Sequence, residues 1–186
     1  MENAKPRRPD VVEVELIGGV EKRHLELKMY DDQWPAKYVD HERRIKAALG
    51  KQAIEVEHIG STSVPGLAAK PVIDILVTVR EITAEAEYLD ALVAAGYELR
   101  VREPGHRMVR TPSKDVHVHV LEDGDPAVDD YLLFRNRLRT DPGDRALYEE
   151  TKRALLSRSW ADMNAYAEAK TGVISAIKAR ARASRT

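Results

Sequence analysis

Two histidines alternate with valines in the segment DVHVHVL at residues 115–121. Successive side chains of a β-strand point to opposite faces, so the pattern predicts a strand with His117 and His119 on one face. Two imidazoles with one orientation are suited to contact a metal ion or a phosphate. A polar face in contact with water is the alternative interpretation, because antiparallel strands often have one solvated face. We assign no function to the other four histidines, namely His24, His41, His106 and His58, the last of which ends a predicted strand.

A lone aspartate lies in the most apolar segment of the chain. Asp74 interrupts VIDILV at residues 72–77, which otherwise predicts a strand buried on both faces. A carboxylate in such a strand must be paired, protonated or bound to a cation. Lys70, four residues earlier, is a candidate partner. Metal binding is favoured because it also explains the polar loop that precedes the strand.

That loop is GSTSVPG, residues 60–66. Gly60 allows another group to approach the backbone closely, and Ser61 and Thr62 supply hydroxyl donors. A loop of this kind presents N–H and O–H donors to a phosphate. It is not a Walker A motif, because no Gly-Lys-Ser/Thr follows and no helix is predicted to begin there.

Three of the cations in the helical C-terminal third are candidate ligands for an anion. Arg135 and Lys170 each lie in the middle of an apolar stripe at helical spacing, and Lys152 lies on the helix between them. A charge within such a stripe costs stability unless it is paired or reaches water. Each aliphatic stem could pack while its charged head reaches solvent. Cations on successive helices instead favour a convergent site for an anion.

The composition limits the classes of function. The chain has 186 residues, 33% of them charged, with a net charge of −1. No basic field therefore draws it to nucleic acid, and aromatic residues that could stack on bases are few. The chain contains no cysteine, which excludes thiolate catalysis and fits a reducing cytoplasm. No stretch of about 18 apolar residues predicts a membrane span.

The coarse pattern predicts an α+β fold, with a mixed sheet first and helices alone at the end. Residues 1–10 are expected to form a disordered tail, and 11–186 one domain with a sheet core over 11–122 and a helical part over 126–182. Asp125-Pro126 and Asp141-Pro142 are predicted helix starts, and Thr83 is a predicted cap. The predicted strands are two short ones within 11–30, then 53–58, 72–79, 97–103, 107–111 and 115–121. The predicted helices are 34–50, 84–95, 127–139, 143–158 and 161–182.

Several ordered segments carry a family resemblance. They are YDDQWPAKY at 30–38, HIGSTSVPGLAAKPVIDI at 58–75, HVHVL at 117–121, FRNRLRTDP at 134–142 and YAEAKTGVI at 166–174. Together they resemble the GrpB family, a branch of the nucleotidyltransferase superfamily. The family is also similar to a domain appended to dephospho-CoA kinase in some bacteria. The resemblance implies a nucleotidyltransferase-like mixed sheet with flanking helices and a C-terminal helical extension.

The superfamily pattern implies a particular metal site. A hydrophobic residue and Gly-Ser are followed, about ten residues later, by Asp-x-Asp/Glu, with a third carboxylate on a later strand; these acids hold two Mg²⁺ ions. Ile59-Gly60-Ser61 and Asp74 match this pattern. Val72 and Leu76, where a second acid would stand, are apolar, and the later strand offers histidines. The resemblance therefore implies either a mixed Asp/His site for Mg²⁺ or Mn²⁺, or nucleotide binding without transfer.

Two hypotheses follow. In the first, the protein is an enzyme that transfers a nucleotidyl group from a nucleoside triphosphate to a small-molecule acceptor. Asp74 and His119 are then catalytic, and both hold the metal with His117. The expected phosphate-binding residues are Gly60, Ser61, Thr62, Lys70, Arg135, Lys152 and Lys170. In the second, the same cleft binds a nucleotide or a CoA-like ligand without chemistry, or docks on a partner enzyme.

Overall fold

The protein is described by a computed structural model that covers residues 9–21, 26–158, 160 and 163–184. Within these residues the strands are β1 (Glu15–Leu16), β2 (Glu55–Ile59), β3 (Ile73–Val79), β4 (Glu98–Glu103), β5 (His106–Arg110) and β6 (Val116–Glu122). The α-helices are α1 (Trp34–Leu49), α2 (Glu85–Ala94), α3 (Pro126–Thr140), α4 (Pro142–Leu156), α5 (Met163–Glu168) and α6 (Thr171–Ala183). Of the disordered tail predicted over residues 1–10, residues 1–8 lie outside the described residues, and Asp10 accepts a hydrogen bond from Arg107 Nη2 at 2.8 Å.

The strands form one mixed sheet in the order β1-β4-β5-β6-β3-β2. Only β3 and β6 pair in parallel among the described strands, and the other neighbours are antiparallel. The parallel register places Asp74 beside His117 and Leu76 beside His119. Because side chains alternate along both strands, the aspartate and the two histidines share one face of the sheet.

The two faces of the sheet are covered by different helices. Residues such as Ile75 and Val118 form the main core with α1 and α2. On the opposite face Leu76 contacts a second cluster that includes Val128 of α3. The continuous apolar run of β3 thus has the expected cause, since this strand is buried on both faces.

The C-terminal helices pack on the loop that precedes β3. Val64 and Leu67 of that loop lie in one buried cluster with Leu138, Tyr148 and Ile177 of α3, α4 and α6. The loop is therefore held between the sheet and the helices. The sheet and the C-terminal helices both contribute side chains to the cleft beside this loop.

The mixed fold and most element positions are confirmed, including the two aspartate N-caps. Asp125 accepts a hydrogen bond from the amide of Ala127 at 2.8 Å, and Asp141 accepts one from the amide of Asp144 at 2.8 Å. The cap prediction for Thr83 is wrong. Its hydroxyl donates to Glu81 at 2.8 Å, and α2 begins without a side-chain cap.

Two predicted elements differ from the structure. The helix expected over 161–182 is divided into α5 and α6, since the Lys170 amide bonds the carbonyl of Ala167, three residues back. Thr171 and Gly172, both poor helix formers, follow that break. Of the two strands expected within 11–30, the described residues form only β1 and an isolated bridge between Lys28 and Ala69. No α-helix of the described residues is long and apolar enough to cross a membrane.

Candidate functional site

A cleft of about 430 Å³ opens beside the start of β3. Its walls come from the loop residues 59–61, from β3 and β6, and from α3 to α6. Eight of the ten predicted site residues line it: Gly60, Ser61, Lys70, Asp74, His117, His119, Lys152 and Lys170. Sheet and helical part thus build the cleft together.

Asp74 lies at the centre of the polar groups in this cleft. Its Oδ1 is 3.5 Å from His117 Nδ1 and 3.4 Å from His119 Nε2. One ligand atom from each of the three side chains lies within 4.8 Å of the others. Metal–nitrogen and metal–oxygen bonds of about 2.0–2.2 Å at a tetrahedral ion place two donor atoms about 3.3–3.6 Å apart, which agrees with the two distances from Asp74. The donor set fits one divalent cation.

The electrostatics of Asp74 favour a charged carboxylate. Burial by itself raises the pKa of Asp74, but the imidazoles of His117 and His119 beside the carboxylate outweigh this effect. The pKa of Asp74 is therefore held well below its usual range. An ionised carboxylate beside two imidazoles is available as a ligand at neutral pH.

Gly60 allows the loop to approach this carboxylate. Its φ of +71° is unfavourable for other residues, and a Cβ there would lie 2.5 Å from Asp74 Oδ2. Ser63 fixes the same turn, because its hydroxyl donates to the Gly60 carbonyl at 2.6 Å. The glycine of the predicted phosphate loop is thus required by contact with the predicted metal ligand.

Lys152 is buried at one wall of the cleft. Its Nζ donates to the Ala68 carbonyl at 2.6 Å and to the Ser61 hydroxyl at 3.2 Å. Burial, and then the charge of Lys170, lower the pKa of Lys152 to about 7. Burial also lowers the pKa of Lys170, against the opposing effect of Asp74. Two desolvated amines therefore face the cleft, where an anion would stabilise their protonated forms.

Two predicted phosphate ligands do not line the cleft. Arg135 Nη1 donates to Glu57 at 2.6 Å and to the His58 carbonyl at 3.0 Å, which joins α3 to β2. The buried Thr62 hydroxyl donates to the Val72 carbonyl at 3.0 Å, which fixes the loop. Both positions are structural in this geometry.

The two positions at which the superfamily pattern would place a second acid are Val72 and Leu76, and neither could supply one. Leu76 is fully buried in a cluster with Ile59, Leu121 and Val128. An unpaired carboxylate there would bear the full cost of burial. Val72 lines the cleft but supplies no ligand atom. The cleft therefore presents one aspartate and two histidines where the superfamily pattern implies a pair of carboxylates.

One contact of the site was missed by the sequence analysis, which assigned no function to His106. Its Nε2 lies 3.1 Å from His119 Nδ1, and its Nδ1 lies 2.5 Å from Glu103. We expected this strand to begin at residue 107, but β5 begins at His106. The side chain of His106 therefore lies on the same face of the sheet as that of His119. A predicted strand that began one residue earlier would have placed His106 on the face of His119. His58 is buried and stacked on Tyr38, as a structural histidine should be.

Comparison with solved structures first defines the class of the fold. The Cid1 poly(U) polymerase, solved with Mg and 3'-dATP, aligns with a TM-score of 0.51 at 14% identity, over 69% of this chain and 44% of that chain. The fold is therefore nucleotidyltransferase-like. Within this class, GrpB from Enterococcus faecalis aligns with a TM-score of 0.74 at 32% identity, over 84% of this chain and 96% of that one. The family model described as GrpB protein matches residues 24–180, and the chain belongs to the GrpB family.

Two curated relatives extend the comparison. A UPF0157 protein of Streptomyces coelicolor is 63% identical over 96% of both chains. A dephospho-CoA kinase of Mycolicibacterium paratuberculosis is 34% identical over 75% of this chain, but the match spans only 42% of the kinase. This chain thus resembles one part of a longer enzyme.

Proposed function

We propose that the protein is a metal-dependent nucleotidyltransferase that moves a nucleotidyl group from a nucleoside triphosphate to a small-molecule acceptor. The observation that carries this proposal is the convergence of Asp74, His117 and His119 in the same cleft as Lys152 and Lys170. A phosphate is bound by positive charge and a metal cation by negative charge, and the cleft contains both lysines and an aspartate. The nucleotidyltransferase-like fold supports the same class of reaction.

In this proposal, Asp74, His117 and His119 hold the cation. Two imidazoles with one carboxylate favour Mn²⁺ over Mg²⁺, which prefers oxygen ligands. A divalent cation held there would supply positive charge to stabilise the negative charge of the phosphates. The Ser61 hydroxyl and the two lysines bind the triphosphate, and the loop amides next to Gly60 approach it. The acceptor oxygen bonds to the α-phosphorus, the bond from that phosphorus to the pyrophosphate oxygen breaks, and a carboxylate oxygen of Asp74 accepts the hydroxyl proton.

A second candidate function is binding without chemistry. The burial of Leu76 favours it, because the second acid of the superfamily pattern has no counterpart there. The relative that is a dephospho-CoA kinase suggests a CoA-like ligand for this case. The cations of the cleft would then bind the ligand's phosphates without transfer.

A ligand screen followed by a turnover assay separates the two functions. Nucleoside triphosphates and CoA derivatives are tested by thermal shift, each with and without Mn²⁺. A ligand at a hundred times its Kd adds about 2.7 kcal/mol to the stability of the folded protein. Metal-dependent triphosphate binding with pyrophosphate release supports the enzyme. Binding of CoA derivatives without any turnover would instead support the second function, and no ligand at all would contradict both.

A further inference from the structure

A line of four side chains leads from the surface into the cleft. The Glu103 carboxylate lies 2.5 Å from His106 Nδ1, and His106 Nε2 lies 3.1 Å from His119 Nδ1. His119 Nε2 then faces Asp74 Oδ1 at 3.4 Å. The two imidazole rings are stacked, with centroids 5.2 Å apart and planes inclined by 10°. We call Glu103 and His106 the supporting pair.

With Glu103 ionised and His106 neutral, the direction of each hydrogen bond follows from the chemistry of the groups. An ionised carboxylate only accepts, so His106 Nδ1–H donates to Glu103. In neutral His106 the other nitrogen, Nε2, is then an acceptor. His119 Nδ1 must therefore carry the hydrogen that is donated to it. This leaves a lone pair on His119 Nε2, which points toward the carboxylate of Asp74.

That arrangement places two acceptors opposite each other, which is unfavourable unless a cation lies between them. A metal ion bound by Asp74 and His119 Nε2 removes the repulsion. Metal-bound histidines commonly donate their other ring N–H to a fixed acceptor, which sets the tautomer and raises the basicity of the ligand.

The fold holds the supporting pair in place. Pro104 and Gly105 form the turn between β4 and β5, which brings Glu103 and His106 together at its two ends. Arg107, whose side chain is fully buried, donates to the carbonyls of Glu103 and His106, each at 3.0 Å. The position of the His106 ring is thus set by the turn that Arg107 stabilises, as well as by the hydrogen bonds of the ring itself.

We infer that Glu103 and His106 are positioning residues that hold His119 in the Nδ1–H tautomer, so that Nε2 is its metal-binding atom. This inference rests on the metal site of the proposed function. It adds that metal affinity depends on two side chains that do not touch the metal. It also favours Mn²⁺, Co²⁺ or Zn²⁺ over Mg²⁺, because a basic imidazole nitrogen is a better ligand for those ions.

The test compares three variants of the full chain. His106→Leu removes the acceptor for His119, whereas His106→Gln keeps an amide oxygen that accepts and an amide N–H that reaches Glu103. His41→Leu is the matched control, because His41 bonds Tyr97 at 2.7 Å, away from the cleft residues. Mn²⁺ affinity is measured by calorimetry without any nucleotide. The tautomer of His119 is measured by NMR of the ring nitrogens in the metal-free, unsubstituted protein.

We expect His106→Leu to weaken Mn²⁺ binding about 10- to 100-fold, as is typical when a ligand loses its orienting partner. His106→Gln should restore most of the affinity, and His41→Leu should leave it unchanged. The NMR spectrum should show the hydrogen of His119 on Nδ1. Unchanged Mn²⁺ affinity in His106→Leu, or a hydrogen on Nε2 in place of Nδ1, would overturn the inference while leaving the metal site intact. If the unsubstituted protein binds no divalent metal, both proposals fail. The NMR result needs no variant, so it decides the question even if His106→Leu does not fold.

Discussion

Gly60 is the residue where the proposed phosphate loop meets the proposed metal ligand Asp74. Its backbone has φ +71°, and an added Cβ would lie 2.5 Å from Asp74 Oδ2. We predict that Gly60→Ala displaces the carboxylate and weakens Mn²⁺ binding by at least about tenfold, the scale expected when a ligand loses its orientation. Calorimetric titration with Mn²⁺ measures the change.

Gly66→Ala is the control for this substitution. Gly66 has φ +77°, but an added Cβ would meet no atom within 4 Å. Its variant should therefore lose only the stability that a left-handed backbone costs alanine, about 1–2 kcal/mol, and keep its metal affinity. Equal Mn²⁺ affinities in the two variants would argue against the close approach of loop and carboxylate.

Lys152 predicts a pH dependence of triphosphate binding. Its pKa is lowered to about 7, mainly by burial, and a bound anion favours the protonated amine. Below pH 7 the free protein already carries this proton, so affinity is at its full value. Above pH 7 binding must take up a proton, and affinity should fall by up to about tenfold per pH unit. Titrations of a triphosphate from about pH 6 to 9, in buffers of different ionisation enthalpy, measure both the affinity and the proton uptake.

Two substitutions check the assignment. Lys152→Met should flatten the pH profile and lower the affinity at pH 6. Lys178→Met is the control, since Lys178 pairs with Asp130 at 2.7 Å and does not line the cleft. An unchanged pH profile in Lys152→Met would assign the titration to another group.

At this scale the sequence predicted the residues whose signal is local. Asp74 was predicted because it is a single charge within an apolar strand. His117 and His119 were predicted because they alternate with valines. Glu103 and His106 were not, because their role depends on the pairing of β5 with β6. That register becomes known only when the sheet is assembled.

At the scale of elements, prediction succeeded where a short pattern decides the structure. The alternation in β6, the continuous apolar run of β3 and the Asp-Pro starts of α3 and α4 were each sufficient. The break between α5 and α6 was missed because its apolar spacing continues through Lys170. The start of the chain was also poorly predicted, since β1 has only two residues and gains its bonds from β4.

Arg135 joins two elements, and its substitution distinguishes a structural from a ligand-binding role. Its hydrogen bonds to Glu57 and to the His58 carbonyl tie α3 to β2. We predict that Arg135→Gln lowers the free energy of unfolding by about 1.5–3 kcal/mol, the range for hydrogen bonds that involve a charged group. Urea denaturation measures this loss, and triphosphate affinity should not change.

Glu57→Gln is the matched variant. Glu57 is partly exposed, so the ion pair is screened, and its loss should cost no more than about 1 kcal/mol. If Arg135→Gln keeps its stability but loses triphosphate affinity, the phosphate role expected from the sequence is correct and the structural role is wrong.

At the scale of the whole molecule, the cleft depends on the packing of the helical part against the phosphate loop. Ile177 of α6 is fully buried in the cluster that contains Val64 and Leu67 of the loop. We predict that Ile177→Ala costs about 2–5 kcal/mol, as is usual for a large buried aliphatic side chain. Leu147→Ala, at an exposed position of α4, should change stability by less than about 0.5 kcal/mol. Equal melting temperatures for the two variants would mean that α6 is not docked on the loop.

The positive charge of three lysines is concentrated in one cleft of a nearly neutral molecule. The net charge is only −1, yet Lys70, Lys152 and Lys170 all line one cleft. A local cationic site on a nearly neutral protein suits a small anionic ligand better than a long nucleic acid. The sequence predicted this balance from composition, but it could not show that the lysines converge, since they come from separate elements.

We propose that Asp74, His117 and His119 form a metal site required for triphosphate binding, and the variant Asp74→Asn tests this proposal. Asparagine keeps the size and can still hydrogen-bond the imidazoles, but it removes the charge that attracts a cation. The measurement is the melting temperature and the Mn²⁺-dependent triphosphate affinity of the same purified variant. We expect an almost unchanged or slightly higher melting temperature, with Mn²⁺ binding and metal-dependent triphosphate binding both lost. A large fall in melting temperature with triphosphate binding retained would make Asp74 a structural residue and contradict the account.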